Sequence, residues 1–381
     1  MRVDVATSRT TMSEEDDIPG KVREIHALLA SASSANTERL RQMAVLPGGL
    51  LTNKIRQQAW PRILDINPFA KHDEPTEEDM KEHRDARVVD LDVERLLKRY
   101  PPDLDSEVRD EMQDVLKRVI MRTLHGTDYH YYQGFHDIAI TVHLVLRDEN
   151  LTVAVLRKLC QTHFRVFMTP TLLDTVTMLQ FIYPLIRRCN PHLHDFLIRS
   201  DIGTMFALPW LITWYSHNIQ ENVPLTLVVR LCDLFIASDP HMPIYLGAAI
   251  VNSLSHRILS LPEDQAEVHG FLNYLPTTLS WETLIKDALD LYLQFPPATI
   301  APEAERVPQL QEEARENKFT RPTKKPPAIA PQHDRSWMKF GMAAGIGVVI
   351  VAILIARYYS RSSISDPASD GQKLASPPND L

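Results

Sequence analysis

The segment "TDYHYYQGFHDI", residues 127–138, joins an aromatic-rich loop to a long apolar run. Because glycine has no Cβ, Gly134 lets the backbone turn sharply or approach a neighbouring segment closely. We therefore expect Gln133, the residue before it, to project from a loop that aromatic packing holds in place. A second interpretation stays open, in which the Gln133 amide satisfies a buried backbone group.

A second segment, "VVDLDVERLLKRYPP", lies earlier in the chain, at residues 88–102. Its pattern predicts a helix that ends before Pro101, because proline cannot continue a helix. Asp92 and Arg95 are three positions apart on that helix and can touch, so Asp92 can direct the guanidinium. The alternative is an ordinary surface ion pair, worth under ~1 kcal/mol. The apolar face of the predicted helix consists of Val89, Val93, Leu96 and Leu97.

Helical patterning extends over most of the chain. Apolar residues recur at spacings of three and four between residues 44 and 296, for example in 106–124 and 151–168, and no convincing alternating strand interrupts them. Prolines divide this region into segments of helical length. The pattern predicts an all-α fold with a single large helical domain at 44–296.

Composition narrows the range of functions. The net charge is −8, which argues against a general electrostatic grip on nucleic acid. The 3 cysteines are widely spaced and form no CxxC pair, so neither a disulfide framework nor a zinc ribbon is indicated. This pattern is typical of a reducing compartment, where buried thiols act as small apolar groups.

The regions that flank the helical domain are polar. Residues 1–43 form a polar N-terminal region with an acidic patch and one predicted helix near 22–32. This region lacks the apolar core of a secretory signal. Residues 297–335 are rich in proline and charge, and we expect them to form a linker that tethers the domain.

The C-terminal region contains an uncharged apolar run from Phe340 to Ala356. Its helical length nearly matches the ~30 Å hydrocarbon layer of a bilayer. We interpret residues 336–359 as a transmembrane tail anchor and residues 360–381 as a short luminal tail, which leaves the large N-terminal part in the cytosol. A buried core helix is the alternative interpretation of the apolar run.

The two opening segments together resemble the TBC domain of Rab GTPase-activating proteins. That family has an I-x-x-D-x-x-R helix and a Y-x-Q-G loop, and this chain has Val89-x-x-Asp92-x-x-Arg95 followed by Tyr131-x-Gln133-Gly134. The resemblance covers roughly residues 44–296. It includes Arg56 and Trp60 of the early R-x-x-x-W-x-x-L helix and later core segments at 206–217 and 228–240.

The resemblance implies a function in which the chain completes another protein's active site. Arg95 and Gln133 would be the catalytic pair, supplied to a Rab-family small GTPase in its GTP-bound state. No cofactor of the chain's own is implied, because GTP and Mg²⁺ belong to the partner GTPase, and no independent catalytic reaction is expected. The supporting positions implied by the resemblance are Asp92, Tyr131, Gly134, Arg56, Trp60 and Asp137.

The chain also departs from the family pattern. Valine replaces isoleucine at position 89, Cys232 stands where many members have tryptophan, and Phe135-His136 stands where many have Met-Asn. The change beside Gln133 bears on GTPase preference. The QGFHD form with a C-terminal anchor resembles the endoplasmic-reticulum member of the family. We therefore expect the endoplasmic reticulum membrane, with the Golgi as an alternative, and a role in early secretory traffic.

Two other function classes remain open at this stage. One is a membrane-tethered scaffold that binds a Rab GTPase without accelerating hydrolysis, although a scaffold needs neither Arg95 nor Gln133. The other is a metal-dependent hydrolase, prompted by the 15 histidines. His192 and His194 are two positions apart and do not face each other on a helix, and no HExxH motif accompanies them.

Overall fold

The computed structural model describes residues 18–31, 33–67, 74–97, 105–219 and 225–320. Within these ranges the regular structure is helical and no strand occurs, so the all-α prediction is confirmed for this part of the chain. In chain order the α-helices are α1 Ile18–Leu29, α2 Ser34–Val45, α3 Asn53–Ile63, α4 Glu77–Glu82, α5 Ala86–Leu97, α6 Ser106–Leu124, α7 Phe135–Leu146, α8 Glu149–Thr162, α9 Leu173–Leu179, α10 Ile182–Cys189, α11 Pro191–Arg199, α12 Leu208–Ile212, α13 Ser216–Ile219, α14 Leu225–Ile236, α15 Met242–Ser253, α16 Ser255–Leu259, α17 Gln265–Asn273, α18 Trp281–Gln294, α19 Pro297–Ala304 and α20 Val307–Thr320.

The local signals in the sequence account for several of these boundaries. The predicted helix at 106–124 is confirmed as α6. The predicted helix at 151–168 begins earlier, because the Asp148 side chain accepts a hydrogen bond from the backbone N–H of Leu151 and caps α8. It also ends earlier, at Thr162, and a short 3-10 helix, Arg165–Phe167, follows.

Helix α7 is central to the N-terminal half of the domain. Of its 12 residues, Phe135, His136, Asp137, Ile138, Ala139, Ile140, Thr141, Val142, Val145 and Leu146 are buried, and it packs against α3, α5, α6, α8 and α14. Helix α15 has the same role in the C-terminal half, where it packs against α10, α12 and α18. The loop before α7 is therefore attached directly to the core.

A buried carboxylate joins α3 to α14. Asp233 is wholly buried, and the guanidinium of Arg56 donates to both of its oxygens at 2.9–3.1 Å. The indole N–H of Trp60 donates to the same carboxylate at 2.8 Å, and the backbone N–H of Leu50 donates at 2.9 Å. A Cβ on Gly49 would lie 2.5 Å from Asp233 Oδ2, so the turn can approach the carboxylate only with glycine there.

The N-terminal boundary of the domain differs from the prediction at residue 44. Helices α1 and α2 pack on each other and on α3, and Ile25, Leu40 and Met43 are buried in the same core as the rest of the domain. The predicted helix near 22–32 exists as α1, with earlier limits. The sequence pattern did not indicate this packing, because the buried apolar residues of α1 and α2 are too few to form a long periodic run.

The linker prediction is wrong for residues 297–320, which form α19 and α20. Ile300, Ala304 and Val307 are buried, and α19 and α20 pack against α10 and α11. The proline-rich composition misled because Pro297 is the first residue of α19, a position where the missing N–H costs nothing. Two ion pairs fasten the segment to the domain, Arg188 to Glu303 at 2.6 Å and Arg315 to Asp201 at 2.8 Å.

The membrane predictions lie on another part of the chain. None of the helices in the described ranges is long and apolar enough to cross a bilayer. The predicted anchor at 336–359, the tail at 360–381, the rest of the linker at 321–335 and residues 1–17 lie outside the described residues.

We predict that Asp233→Ala destabilises the domain by about 3–5 kcal/mol, because the substitution leaves the buried guanidinium of Arg56 without its counter-charge. Equilibrium urea unfolding measures the change. The control is Asp290→Asn, which removes an exposed ion pair to Lys286 and costs under ~1 kcal/mol. Equal effects of the two substitutions would contradict the structural role assigned to Asp233.

We also predict that Ile300→Ala lowers the free energy of unfolding by about 2–5 kcal/mol, the usual cost of truncating a buried isoleucine. A residue in a free linker would show no such effect. The control is Gln309→Ala in the neighbouring helix α20, where the side chain is exposed and the change is expected to stay within about 0.5 kcal/mol. If Ile300→Ala left the free energy of unfolding unchanged, the linker interpretation would be restored.

Candidate functional site

Helix α5 presents one apolar face to the core and one polar edge to solvent. Its buried side chains are Val89, Asp92, Val93, Leu96 and Leu97, which confirms the predicted apolar face and adds an acid to it. Residues 98–104, including Pro101, lie outside the described residues. A carboxylate on the buried face of a helix must be satisfied by specific partners, because a buried charge without them is costly.

Arg95 is one partner of that carboxylate. Its Nη1 lies 3.5 Å from Oδ1 of Asp92, and the Arg95 side chain is 65% exposed whereas that of Asp92 is 5% exposed. The ion pair therefore joins a buried, fixed anion to an arginine side chain whose surface is mostly exposed. A guanidinium that is held through one terminal nitrogen can bind a second anion, from another molecule, through its remaining N–H groups.

Tyr131 is the other partner, and it links the loop to α5. Its backbone N–H donates to Asp85 just before α5, at 3.1 Å, and its hydroxyl donates to Oδ2 of Asp92, also at 3.1 Å. Burial raises the pKa of the Tyr131 phenol well above its ordinary value, and the Asp92 charge raises the pKa further. The hydroxyl therefore keeps its proton and remains a donor.

The loop is held on its second side by Tyr132. The Tyr132 hydroxyl donates to the carbonyl of Ile212 at 2.9 Å, and burial raises the pKa of this phenol too. Gly134 follows with a φ of 115°, a left-handed conformation that favours glycine. A Cβ at this position would lie 2.8 Å from Cγ2 of Thr213, so glycine is required sterically as well.

Gln133 lies between these two anchored regions and is exposed. Its amide makes no hydrogen bond to any residue that the structure describes, so the interpretation that it satisfies a buried backbone group is wrong. Tyr131, two residues before it, shares the Asp92 carboxylate with Arg95. The structure thus connects the two exposed side chains through one buried acid and one phenol.

A further layer of polar groups lies behind Tyr131. The Nδ1 atom of His136 is 2.6 Å from the Tyr131 hydroxyl, and the imidazole is almost wholly buried. On its other side, Nε2 of His136 is 3.8 Å from Oδ1 of Asp137. Oδ2 of Asp137 is in turn 3.3 Å from Nδ1 of His217. Asp137, a predicted supporting residue, is therefore connected to the loop through His136.

The predicted supporting residues divide into two groups. Asp92, Tyr131 and Gly134 position the two exposed side chains directly. Arg56 and Trp60 instead hold Asp233 in the buried junction of α3 and α14. Their contribution is to the stability of the domain.

Sequence reasoning did not identify four residues that shape the site. Asp85 accepts from the loop backbone, Thr213 lies against Gly134, and His136 and His217 extend the polar network. Only His136 left a signal, as a departure from the family pattern beside Gln133. Thr213 and His217 lie in the family core segment at 206–217, but nothing in that segment indicated contact with the loop, and Asp85 lies just before the motif helix.

The described histidines that prompted the hydrolase interpretation do not form a metal-binding cluster. Over the described ranges of the chain, no group of three or more histidine, cysteine or acidic side chains is arranged to hold a metal ion. His194 contacts its neighbour Asp195 at 2.9 Å, and His241 contacts Asp239 at 2.8 Å. These are ordinary local pairs.

Comparison with known proteins adds independent information. The sequence model of the Rab-GTPase-TBC domain family matches residues 53–259, which include both opening segments. "TBC1 domain family member 20" of Bos taurus is 41% identical over 298 residues, 77% of this chain and 72% of the bovine protein. The Homo sapiens protein of that name is 41% identical over 288 residues, 74% of this chain and 70% of its own length.

More distant relatives extend the likeness. "GTPase-activating protein gyp10" of Schizosaccharomyces pombe is 30% identical over 260 residues, 67% of this chain and 68% of that protein. Among solved structures, the Ypt/Rab-GAP domain of Gyp1p has a TM-score of 0.57 at 15% identity, covering 73% of this chain and 99% of that one. The Chlamydomonas flagellar RabGAP TBC domain has a TM-score of 0.53 at 17% identity, covering 72% and 91%.

The two structural likenesses bear on the fold, and the sequence matches bear on ancestry. The family model spans the residues that include Arg95 and Gln133. The chain belongs to the Rab-GTPase-TBC domain family.

Proposed function

We propose that this chain accelerates GTP hydrolysis by a Rab GTPase by placing Arg95 and Gln133 in that protein's nucleotide site. Membership of the family supports the activity itself. The observation that carries the mechanism is the arrangement of the two side chains. Both are exposed. Arg95 contacts the buried carboxylate of Asp92 directly, and Gln133 is two residues from Tyr131, whose hydroxyl donates to the same carboxylate.

Arg95 suits the charge that develops during phosphoryl transfer. The transition state is loose, with negative charge spread over the transferring group and the leaving oxygen. A guanidinium stays ionised and donates several hydrogen bonds in a fixed fork, so it can neutralise that charge bidentately. Asp92 holds the guanidinium through Nη1 and thereby reduces the entropy lost when the guanidinium is ordered on its target.

Gln133 suits the attacking water. A primary amide has both a donor and an acceptor, so it can accept a hydrogen bond from the water while donating to the γ-phosphate. The anchored tyrosines on either side fix the backbone from which the amide projects. Preorganisation of this kind is valuable because misplacement by about 1 Å can cost ~10²-fold in rate.

The two groups together account for the size of the expected effect. Side chains that one protein inserts into the active site of another are called fingers. They raise the rate by ~10³–10⁵-fold, which corresponds to about 4–7 kcal/mol of activation free energy. The chain needs no metal of its own in this mechanism, because Mg²⁺ and GTP arrive with the GTPase. The chain acts on the GTP-bound partner and carries out no separate reaction.

The proposal extends to location. The apolar run at 340–356 supports a single-pass C-terminal anchor at 336–359, with the helical domain in the cytosol. The resemblance of the QGFHD form and the apolar C-terminal run to the endoplasmic-reticulum member of the family supports the endoplasmic reticulum membrane, with the Golgi as an alternative, and a Rab GTPase of early secretory traffic. An anchored activator meets GTPases on the same membrane at high local concentration.

We predict that Arg95→Ala and Arg95→Lys each abolish most of the acceleration, a loss of ~10³-fold or more, and that Gln133→Ala lowers it strongly. Lysine fails because it lacks the planar fork. The measurement is single-turnover GTP hydrolysis by a panel of Rab GTPases with residues 1–335. The matched controls are Arg315→Ala and Gln265→Ala. Arg315 pairs with Glu312 three positions before it, as Arg95 pairs with Asp92, and Gln265 is exposed.

Three outcomes are distinguishable in that experiment. Loss with the site variants and retention with the controls supports the proposal. Rab binding without acceleration by the unaltered chain indicates a scaffold. Acceleration that survives in all three site variants removes Arg95 and Gln133 from the mechanism.

We also predict that deletion of residues 336–381 releases the protein from membranes and leaves acceleration of a soluble Rab GTPase unchanged within about twofold. The matched variant is the full chain with both Val349→Lys and Ile353→Lys. It should also leave the membrane, because each charge near the bilayer centre costs about 2.5–3.5 kcal/mol on insertion. Fractionation of membranes and cytosol measures the change. Retention of the truncated chain on membranes would contradict the anchor.

A further inference from the structure

We infer that His136 is a positioning residue, which holds the Tyr131 hydroxyl on Asp92 and thereby orients both Arg95 and Gln133. This inference rests on the proposed function, and it concerns a side chain at a position where this chain departs from the common family pattern. His136 is buried in the first turn of α7 and reaches the loop from behind.

The hydrogen-bond roles follow from the donors and acceptors present. The Tyr131 hydroxyl has one hydrogen, and the Asp92 carboxylate can only accept, so the hydroxyl donates to Asp92. The 2.6 Å contact between the same oxygen and His136 Nδ1 then requires that Nδ1–H donates to the phenolic oxygen. The structure therefore assigns the proton to Nδ1 of His136.

This donor removes an alternative arrangement of the phenol. A phenolic O–H prefers the plane of its ring, with two positions on opposite sides of the oxygen. If an acceptor or an empty space stood at Nδ1, the O–H could rotate away from Asp92. The imidazole N–H occupies that direction, and the hydroxyl can donate only towards the carboxylate.

The groups that surround the imidazole keep it in this position. Asp92 on α5 lies 3.8 Å from Nδ1 of His136. Asp137, which is on α7 like His136 itself, lies 3.8 Å from Nε2. His217 on α13 contacts the far oxygen of Asp137 at 3.3 Å. The Asp92 carboxylate attracts the Nδ1–H edge of the ring, and helix α7 itself is fixed in the core.

The consequence reaches both exposed side chains. When the Tyr131 hydroxyl rotates away, Oδ2 of Asp92 loses a donor in a buried environment, and the carboxylate can rotate away from Arg95. The same loss frees the end of Tyr131 and loosens the loop that carries Gln133. One substitution behind the site should therefore disturb the geometry of both fingers without altering either of them.

The chemistry predicts which replacement restores the function. The amide nitrogen of asparagine stands at the same number of bonds from Cβ as Nδ1 of histidine, so His136→Asn keeps a donor at the required place. Leucine has a similar volume and no donor. His136→Leu and His136→Asn are therefore a matched pair that differs in one hydrogen bond.

The test is steady-state and single-turnover GTP hydrolysis by a Rab GTPase with the full chain carrying each variant. We expect His136→Leu to lower kcat by about 10–100-fold, since the fingers are misplaced rather than removed. KM for the GTP-bound Rab should stay within about threefold, because the surface that touches it is unchanged. His136→Asn should retain kcat within about threefold.

A double-mutant cycle separates this role from a general loss of stability. Tyr131→Phe removes the hydroxyl that receives the hydrogen bond, so adding His136→Leu to it should lower kcat by less than about twofold more. Thermal unfolding of every variant is measured alongside. If His136→Leu does not fold, Tyr131→Phe decides alone, and a kcat unchanged by Tyr131→Phe would overturn the inference.

The remaining outcomes are equally decisive. A wild-type kcat in His136→Leu, or a loss in His136→Asn as large as that in His136→Leu, would overturn the positioning role. Additive effects in the cycle would also overturn it. If the unaltered chain fails to accelerate hydrolysis by any Rab GTPase, the proposed function fails first, and that result is distinct from all of these.

Discussion

The carboxylate of Asp92 is the constraint on which the site depends. It is buried on the inner edge of α5, so its charge must be balanced by partners at fixed positions. One partner is Nη1 of the exposed Arg95 side chain, and the other is the hydroxyl of Tyr131 on a different segment. Because both partners serve the same anion, helix α5 and the loop before α7 cannot move independently without leaving a buried charge uncompensated.

Two arginines in this chain show how environment separates stability from function. The side chain of Arg56 is 8% exposed and donates to both oxygens of Asp233, so its hydrogen-bonding capacity is spent inside the protein. The side chain of Arg95 is 65% exposed and touches its acid at 3.5 Å, a long contact that leaves most of the guanidinium open. Both residues belong to family motifs, yet only the second can reach another molecule.

Sequence patterning predicted the helical content and the apolar face of α5, because both follow from short-range spacing. Gly134 favoured an exposed Gln133 but left a buried amide open as the alternative. It did not predict the hydrogen bond from Tyr131 to Asp92, the contact of Thr213 with the Gly134 position, or the placement of His136. These depend on which helices meet, and that information is spread over segments distant in the sequence. The error at 297–320 had another cause: composition indicated a linker, whereas Ile300 and Val307 are enough to bury α19 and the start of α20 against α10 and α11.

The organisation of the domain fits a protein that lends groups to a partner. Its stability comes from a large apolar core and from the buried Asp233 junction, whereas the two exposed side chains sit at the edge of that core. Under the proposed function, the reacting GTP lies in the pocket of the partner. The catalytic contribution of this chain must appear as stronger binding to the partner's transition state than to its ground state.

That difference in binding tests the proposed function most directly. The experiment measures the affinity of the chain for a Rab GTPase in two forms. One is loaded with Mg²⁺ and a non-hydrolysable GTP analogue, which represents the ground state, and the other with GDP, Mg²⁺ and aluminium fluoride, a mimic of the transferring phosphoryl group. We predict binding to the mimic at least ~10²-fold tighter, and loss of that preference in Arg95→Ala. Equal affinity for the two forms, or a preference that survives Arg95→Ala, would contradict it.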